Sequence, residues 1–316
     1  MGGEPLKILV TGGAGFIGSH LVERLLDAGH DVVVLDDFST GRERNLSYSS
    51  HRPNFELVRA DIRKIPHSVV KRLGRVNRVC HLAAFTSVRR SVRQPVFTTE
   101  VNVTGTLNVL DTAARLKSER VVIASSAAVY GTPKAFPIVE DANIAPTSPY
   151  GASKAASELY CRSFEENHGI EAACLRYFNV YGPRQTAGQY AGVIPIFAKR
   201  ILRKQPLVIF GDGSQSRDFI FVSDVVDATI AALERNLANR VFNLGSGNET
   251  SVLELAETMR RITFSQSELE FLPPQAGDIA RSVADITRAR KELGLVARTS
   301  FEEGLSATIQ WFKKRN

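Results

Sequence analysis

Apolar positions along the chain follow two rhythms that alternate. Leu6 to Thr11 (Leu-Lys-Ile-Leu-Val-Thr) is short and mostly apolar, the pattern of a strand buried on both faces. Leu21, Val22, Leu25 and Leu26 then repeat at helical spacing as far as Gly29, and Asp31 to Leu35 is again strand-like. Further strand-like runs lie near 55–58, 78–82, 121–125 and 172–176, with helical patterns between them; 100–117 is one, carrying Val101, Val103, Leu107, Val109 and Leu110. Repeated strand–helix–strand units predict an α/β fold with a doubly wound parallel sheet covered on both faces. Beyond Tyr177 the rhythm breaks at Gly182-Pro183, Gly188, Gly192, Pro195, Gly211 and Gly213, which predicts a smaller, loop-rich second domain. Residues 1–177 are therefore expected to form the sheet domain and 178–316 the second one, with about 219–247 rejoining the first.

Between the first strand and the first helix stands Gly12-Gly13-Ala14-Gly15-Phe16-Ile17-Gly18. Gly13, Gly15 and Gly18 fit G-x-G-x-x-G, and Gly12, Gly15 and Gly18 fit G-x-x-G-x-x-G. Without Cβ atoms the backbone can turn tightly and approach a pyrophosphate, whose charge sits well at a helix N-terminus. A lone glycine-rich turn is a weak signal; strand, glycines, helix, strand and acid in register make a Rossmann-like dinucleotide site. The acid is Asp36-Asp37 at the end of the second strand, placed for an adenosine ribose hydroxyl. Two carboxylates there would repel a 2′-phosphate, so NAD is expected rather than NADP. Asp61 has two readings, a partner for the adenine amino group or a strand-end turn residue.

Tyr150 and Lys154 are four residues apart, and Ser126 lies upstream in Ser125-Ser126-Ala127-Ala128-Val129-Tyr130-Gly131. A helix over 149–168 would put Tyr150 and Lys154 on one face. A free phenol has a pKa of about 10 and is a poor base at neutral pH. A nearby ammonium is expected to lower that pKa, while a serine hydroxyl bonds the oxygen losing its proton. The trio suits proton removal from a sugar or alcohol hydroxyl, with the dinucleotide as hydride acceptor.

Composition narrows the rest. A chain of 316 residues, 43% hydrophobic and 23% charged, suits a globular protein of one large or two modest domains. No apolar run nears membrane-spanning length and no leader pattern opens the chain, so no membrane association is expected. Cys80, Cys161 and Cys174 are widely spaced in apolar surroundings, which argues for a reducing cytoplasm rather than a disulfide or metal framework. The histidines show no ligand spacing, and His81 reads as structural. The net charge of +7 comes without basic runs interleaved with aromatics, so nucleic acid is not the expected partner.

Taken together, Thr11-Gly12-Gly13-Ala14-Gly15-Phe16-Ile17-Gly18-Ser19-His20, His81-Leu82-Ala83-Ala84, the Ser125–Gly131 segment, Tyr150-x-x-x-Lys154, Arg176-Tyr177-Phe178-Asn179-Val180-Tyr181-Gly182-Pro183-Arg184, Arg217-Asp218-Phe219 and Gly277-Asp278 resemble the extended short-chain dehydrogenase/reductase family. Within it they resemble nucleotide-sugar 4-epimerases of the UDP-glucose 4-epimerase type, from Lys7 to about Phe312. The resemblance implies tightly bound NAD lined by Phe16, Ile17, Asp36, Asp37, Phe38, Ser39, Thr40, Gly41, Asp61, Ile62, Leu82, Ala83, Ala84, Asn102, Lys154 and Phe178. It implies a UDP-sugar held by Thr86, Asn179, Val193, Val208, Ile209, Phe210, Arg217, Asp278, Arg281 and Ser282, and a homodimer built through helices of the first domain. Read without the resemblance, Arg217 is a fork for a diphosphate or half of a surface salt bridge, Asn179 follows a strand end, and Arg184 is a loop residue.

Related dehydratases carry Asp-Glu after the catalytic hydroxyl, and decarboxylating relatives carry Glu before the Val-Tyr pair. Here those positions are Ala127 and Ala128, and the Cys/His pair of 3,5-epimerising relatives is missing. The resemblance therefore implies a 4-epimerase acting through a 4-keto sugar. Ser282 stands where relatives place a bulky tyrosine, leaving room for a 2-acetamido group, so UDP-GlcNAc/UDP-GalNAc join UDP-glucose/UDP-galactose as candidate pairs. Gln275 stands where an arginine commonly meets the diphosphate, leaving Arg281 or another basic residue to compensate. The competing readings are another NAD-dependent nucleotide-sugar oxidoreductase or epimerase, such as one for UDP-glucuronate, and a non-catalytic nucleotide- or RNA-binding relative.

Overall fold

The computed structural model describes residues 4–186, 192–275, 277 and 279–315. The opening half alternates as its apolar rhythm predicts: β1 (Lys7–Thr11), α1 (Phe16–Asp27), β2 (Asp31–Asp36), β3 (Phe55–Arg59), α2 (His67–Leu73) and β4 (Arg78–His81). Next come α3 (Val88–Arg93), α4 (Pro95–Thr99), α5 (Gly105–Arg115), β5 (Arg120–Ser126), α6 (Pro149–His168) and β6 (Glu171–Tyr177). After them lie β7 (Asn179–Tyr181), α7 (Val193–Leu202), β8 (Leu207–Phe210), β9 (Ser216–Arg217), β10 (Phe219–Phe221), α8 (Val222–Glu234) and β11 (Val241–Leu244). The chain closes with β12 (Thr250–Ser251), α9 (Val252–Thr263), β13 (Leu269–Leu272), α10 (Thr287–Leu293) and α11 (Phe301–Lys313).

Seven strands form one parallel sheet among the described residues, in the order β11-β6-β5-β4-β1-β2-β3. The order reverses direction between β1 and β4, the switch point at whose carboxyl edge such sheets bind ligands. Ile8 and Val10 pack on one face with Leu21, Leu25 and Val225, while Leu9, Val33 and Leu35 pack on the other with Val109, Leu110 and Ala113. Period-2 alternation within strands buried on both faces explains why their sequences read as continuous apolar runs.

A third core gathers Phe197, Ile209, Leu255, Met259, Leu305 and Phe312 under α7, α9 and α11. Of the segment 219–244, Phe219–Phe221 pairs with β7 in a small sheet, while Val241–Leu244 lies beside β6 in the large one.

The helix expected over 149–168 is α6, Pro149–His168. Ser148 caps it, accepting from the Gly151 N–H at 3.1 Å, Pro149 takes the first turn, and Gly169 closes it at φ 65°. The helix expected over 100–117 differs. Helical backbone begins at Pro95, passes through a π turn at Glu100–Thr104 and ends at Arg115. The turn surrounds Asn102, whose side chain accepts from the Phe85 N–H (2.8 Å) and donates to the Phe85 carbonyl (3.1 Å). That tie to the β4 loop gives the turn a tertiary cause which apolar spacing does not encode.

Candidate active site

Three glycines make the turn from β1 into α1. Gly12 has φ 71°, and a Cβ there would come within 2.6 Å of the Ala83 nitrogen; one on Gly18 would meet the Gly12 carbonyl oxygen at 2.2 Å. Both contacts are with backbone, so no side-chain movement relieves them. Gly15 starts α1 without any side-chain cap. The amides of the first turn, Phe16 and Ile17 included, therefore present unspent donors and the positive end of the helix dipole. Asp36 closes the loop, accepting from the Ala14 N–H at 2.9 Å and the Phe38 N–H at 2.8 Å. Burial pushes its carboxyl up, and those two donors oppose the shift. Asp37 and Ser39 are exposed, with the Asp37 carboxylate accepting from the Ser39 N–H at 2.9 Å; Thr40 is exposed as well. Phe38, at φ 59°, lies under the Arg59 guanidinium 4.9 Å from its ring centre, and Gly41 sits against Ala14. An uncapped helix start, a cradle that Cβ atoms would fill, and a carboxylate at the next strand end fit a dinucleotide.

The neighbouring loop after β4 is drawn into the same edge. Leu82 donates its N–H to the Thr11 carbonyl at 3.1 Å, and Ala83 to the Thr11 hydroxyl at 3.4 Å. His81 is fully buried between the Thr11 (2.7 Å) and Thr106 (3.0 Å) hydroxyls, and desolvation holds its pKa down at about 3, as befits a structural histidine. Two of the residues that resemblance assigns to the cofactor also serve the protein's own packing. Asn102 is 1% exposed and spends its side chain on Phe85 and the Ser153 hydroxyl, while Ile62 packs into the core against Gly105. Asp61 caps the short turn Ile62–Lys64 and pairs with Arg63 at 2.6 Å, as a strand-end turn residue does.

Ser126, Tyr150 and Lys154 meet at the carboxyl end of β5. Tyr150 is 9% and Lys154 6% exposed. The Ser126 hydroxyl is hydrogen-bonded to the Tyr150 phenol and accepts from the Ala128 N–H at 3.2 Å. Lys154 Nζ donates to the Ala124 carbonyl at 2.7 Å and lies 6.0 Å from the Tyr150 ring centre. The expectation of a phenol lowered by its lysine needs correction. Burial pushes the Tyr150 phenol up, and the Ser126 hydroxyl is what pulls it down. Desolvation also brings Lys154 down to about 8, with Glu158 opposing it. Gly151 lets the helix touch the Ala127–Tyr130 turn, since a Cβ there would sit 2.5 Å from the Ala128 carbonyl.

Several supporting residues went unread in the sequence. Ser91, on α3, accepts from the Tyr150 N–H at 3.1 Å and so pins the start of α6. Glu158 extends the 150–154 spacing by one more turn; that i+4 repeat was a visible signal. Its carboxylate takes the Ser125 hydroxyl and both ends of the Arg176 fork, at 3.0 and 2.7 Å. Arg176 continues to the Tyr130 hydroxyl (2.9 Å), which donates to Asn243 (2.6 Å).

On the second side, Phe178 is buried at the sheet edge and Asn179 is half-buried, its N–H donating to the Asp218 carbonyl at 3.0 Å. Val193 opens α7. In β8, Val208 and Phe210 are half-buried, but Ile209 is fully buried in the third core, so its side chain cannot line a ligand. Arg217 donates to the Ser216 (2.7 Å) and Ile279 (2.5 Å) carbonyls. Arg281 lies over the Phe136 ring and is paired with Glu249 at 2.8 Å, and Ser282 is buried. Thr86 is exposed beyond β4. Arg184, at φ 69°, pairs with Glu23 of α1 at 2.6 Å, well within a loop role. Asp278 lies outside the described residues.

A glycine cradle and a serine–tyrosine–lysine trio on one carboxyl edge define a dinucleotide-dependent enzyme of the short-chain dehydrogenase/reductase type. Residues 8–245 match the model of the NAD dependent epimerase/dehydratase family, and the chain belongs to that family. It is 42% identical over 313 residues to the UDP-glucose 4-epimerase of Mycolicibacterium smegmatis, covering 98% of this chain and 100% of that protein. Among solved structures, the UDP-N-acetylglucosamine 4-epimerase of Methanobrevibacter ruminantium in complex with UDP-N-acetylmuramic acid superposes with a TM-score of 0.94 at 36% identity, covering 99% of this chain and 100% of that one. The UDP-glucose 4-epimerase of Thermotoga maritima with UDP-glucose gives 0.91 at 39% identity, covering 98% of this chain and 99% of that one.

Proposed function

We propose that this chain is an isomerase, an NAD-dependent UDP-hexose 4-epimerase that interconverts UDP-glucose and UDP-galactose through a 4-keto intermediate. One observation carries the reading: Tyr150, Ser126 and Lys154 converge beside the glycine cradle while Ala127 and Ala128 occupy the adjoining turn. Two methyl groups there hold no acid or base for losing water or assisting a carboxylate, which leaves reversible oxidation at one carbon. The likeness to 4-epimerases over nearly the whole chain supports the same conclusion.

In this reading Tyr150 takes the proton of the sugar 4′-OH and Ser126 holds that oxygen through its hydroxyl. Lys154, bonded to Ala124, would reach the nicotinamide ribose with its ammonium, while the Ser126 hydroxyl favours the phenolate. The Phe16–Ile17 amides and Asp36 would hold NAD, which when bound would supply the acceptor and donor for the C4 hydride. The oxidised sugar turns to present its other face, and Tyr150 returns the proton. Arg217 holds the diphosphate, and Ser282 in place of a bulky residue leaves room for a 2-acetamido group, so UDP-GlcNAc and UDP-GalNAc form a second candidate pair.

Residues 1–177 with about 219–247 form the cofactor domain in this proposal, and 178–316 the substrate domain. The enzyme works in the cytoplasm, a reading supported by three free, buried cysteines; among the described residues no helix is long and apolar enough to cross a membrane. A homodimer is part of the proposal too. Val92, Val96 and Leu159, on α3, α4 and α6, are 62%, 70% and 69% exposed and make an apolar face suited to a second copy.

The test is incubation of purified protein with a panel of UDP-sugars, including UDP-glucuronate, and separation of the products. The proposal expects UDP-galactose and UDP-glucose to interconvert with no net change in NADH absorbance. Stoichiometric NADH formation, or turnover of UDP-glucuronate alone, would replace it with one of the competing enzymes.

A further inference from the structure

Gln275 cannot offer a diphosphate the charge of an arginine, and the charge of Arg281 is already matched by a carboxylate. Its guanidinium is held by the Glu249 carboxylate, with both oxygens 2.8 Å from Nε, and lies over the Phe136 ring. A different cation reaches the spot. Arg89, on α3 in the first half of the chain, donates from Nη2 to Gln275 Oε1, a contact spanning 186 positions of sequence.

The setting of Arg89 points toward a ligand. It is exposed, and among the described residues it has no carboxylate partner, unlike Arg281 and Arg63. A guanidinium has five donors; the amide of Gln275 takes one and adds no charge of its own. The helix that carries Arg89 is anchored to the reacting centre, because Ser91, two residues on, accepts from the Tyr150 N–H at 3.1 Å. On the opposite side Arg217 donates to the Ile279 carbonyl at 2.5 Å, four residues past Gln275. Two forks from the two sides of the molecule thus reach one short loop, with the catalytic tyrosine behind α3.

We infer that Arg89, oriented by Gln275, grips the diphosphate of the nucleotide sugar from the cofactor side, opposite Arg217. The Arg89 fork matches phosphate oxygens two at a time, and Gln275 holds it in place without neutralising it. The inference rests on the nucleotide-sugar reading of the site.

The test measures binding of UDP and of uridine to the NAD-loaded protein, wild type and Arg89→Ala, together with KM and kcat for the UDP-sugar. Losing one charge-assisted grip should weaken UDP roughly 10- to 100-fold and raise KM by a similar factor. Uridine affinity, kcat and bound NAD should stay as in the wild type, since uridine carries no phosphate. UDP affinity within twofold of wild type in Arg89→Ala would overturn the inference. So would an equal loss for UDP and uridine, which would make Arg89 a latch between the two halves. Should the wild type itself fail to bind UDP, the failure belongs to the nucleotide-sugar reading instead.

Discussion

The glycine-rich edge of the sheet and the loop near Gln275 answer to different kinds of constraint. At the edge, backbone meets backbone: Gly12 against Ala83, Gly18 against the Gly12 carbonyl, Gly151 against Ala128. Each contact admits only glycine, so a few letters of sequence specify geometry closely. The loop is held instead by long side chains from distant elements, Arg89 of α3 and Arg217 of β9. Those ties could have been made from many positions, so the sequence near 275 announces only that a charge is missing. Sites made by close approach are written locally, and sites made by reach are not.

The sharpest way to break the contrast is at the trio. Tyr150→Phe removes the phenol bonded to Ser126, and turnover should fall about 10²- to 10⁴-fold with NAD still bound. Measured initial rates near wild type would remove Tyr150 from the chemistry. Gly18→Val comes next. With its Cβ 2.2 Å from a carbonyl oxygen, it should lose bound NAD and cost about 3 kcal/mol of stability, read by cofactor release and thermal melting. A variant that keeps both would show the cradle to be a loose loop.

Glu158→Gln gives the smallest effect on rate and the most particular one. Glu158 raises the Lys154 pKa against desolvation, which has brought it down to about 8. An amine lowered this way loses its charge as pH rises through about 8, so activity that needs the ammonium should decline above that pH. Without the carboxylate the alkaline decline should begin at lower pH. Stability should fall by about 3–5 kcal/mol as well, because Arg176, 3% exposed, loses its partner. A kcat–pH profile that keeps its alkaline limb would make Glu158 purely structural.

How far the sequence could be read follows from the same contrast. The alternation of β1 to β6, the glycine cradle and the cap of α6 were legible because each depends on neighbours in sequence. Resemblance places Asn102 at the cofactor, and its side chain also braces Phe85 and Ser153; it places Ile209 at the nucleotide, and its side chain lies in the third core. Their partners come from other elements. The Tyr150 pKa was expected to fall for want of a burial argument: proximity of a lysine was visible in the spacing, the desolvation of both groups was not.

In the proposed reaction one hydride leaves C4 of the sugar and returns to the same carbon within one active site. UDP-galactose labelled with deuterium at C4 tests it most directly, followed by mass analysis of the UDP-glucose formed in unlabelled water. Full retention of deuterium at C4 and no accumulation of NADH are expected. Loss of the label to solvent, or its appearance in released cofactor, would contradict it.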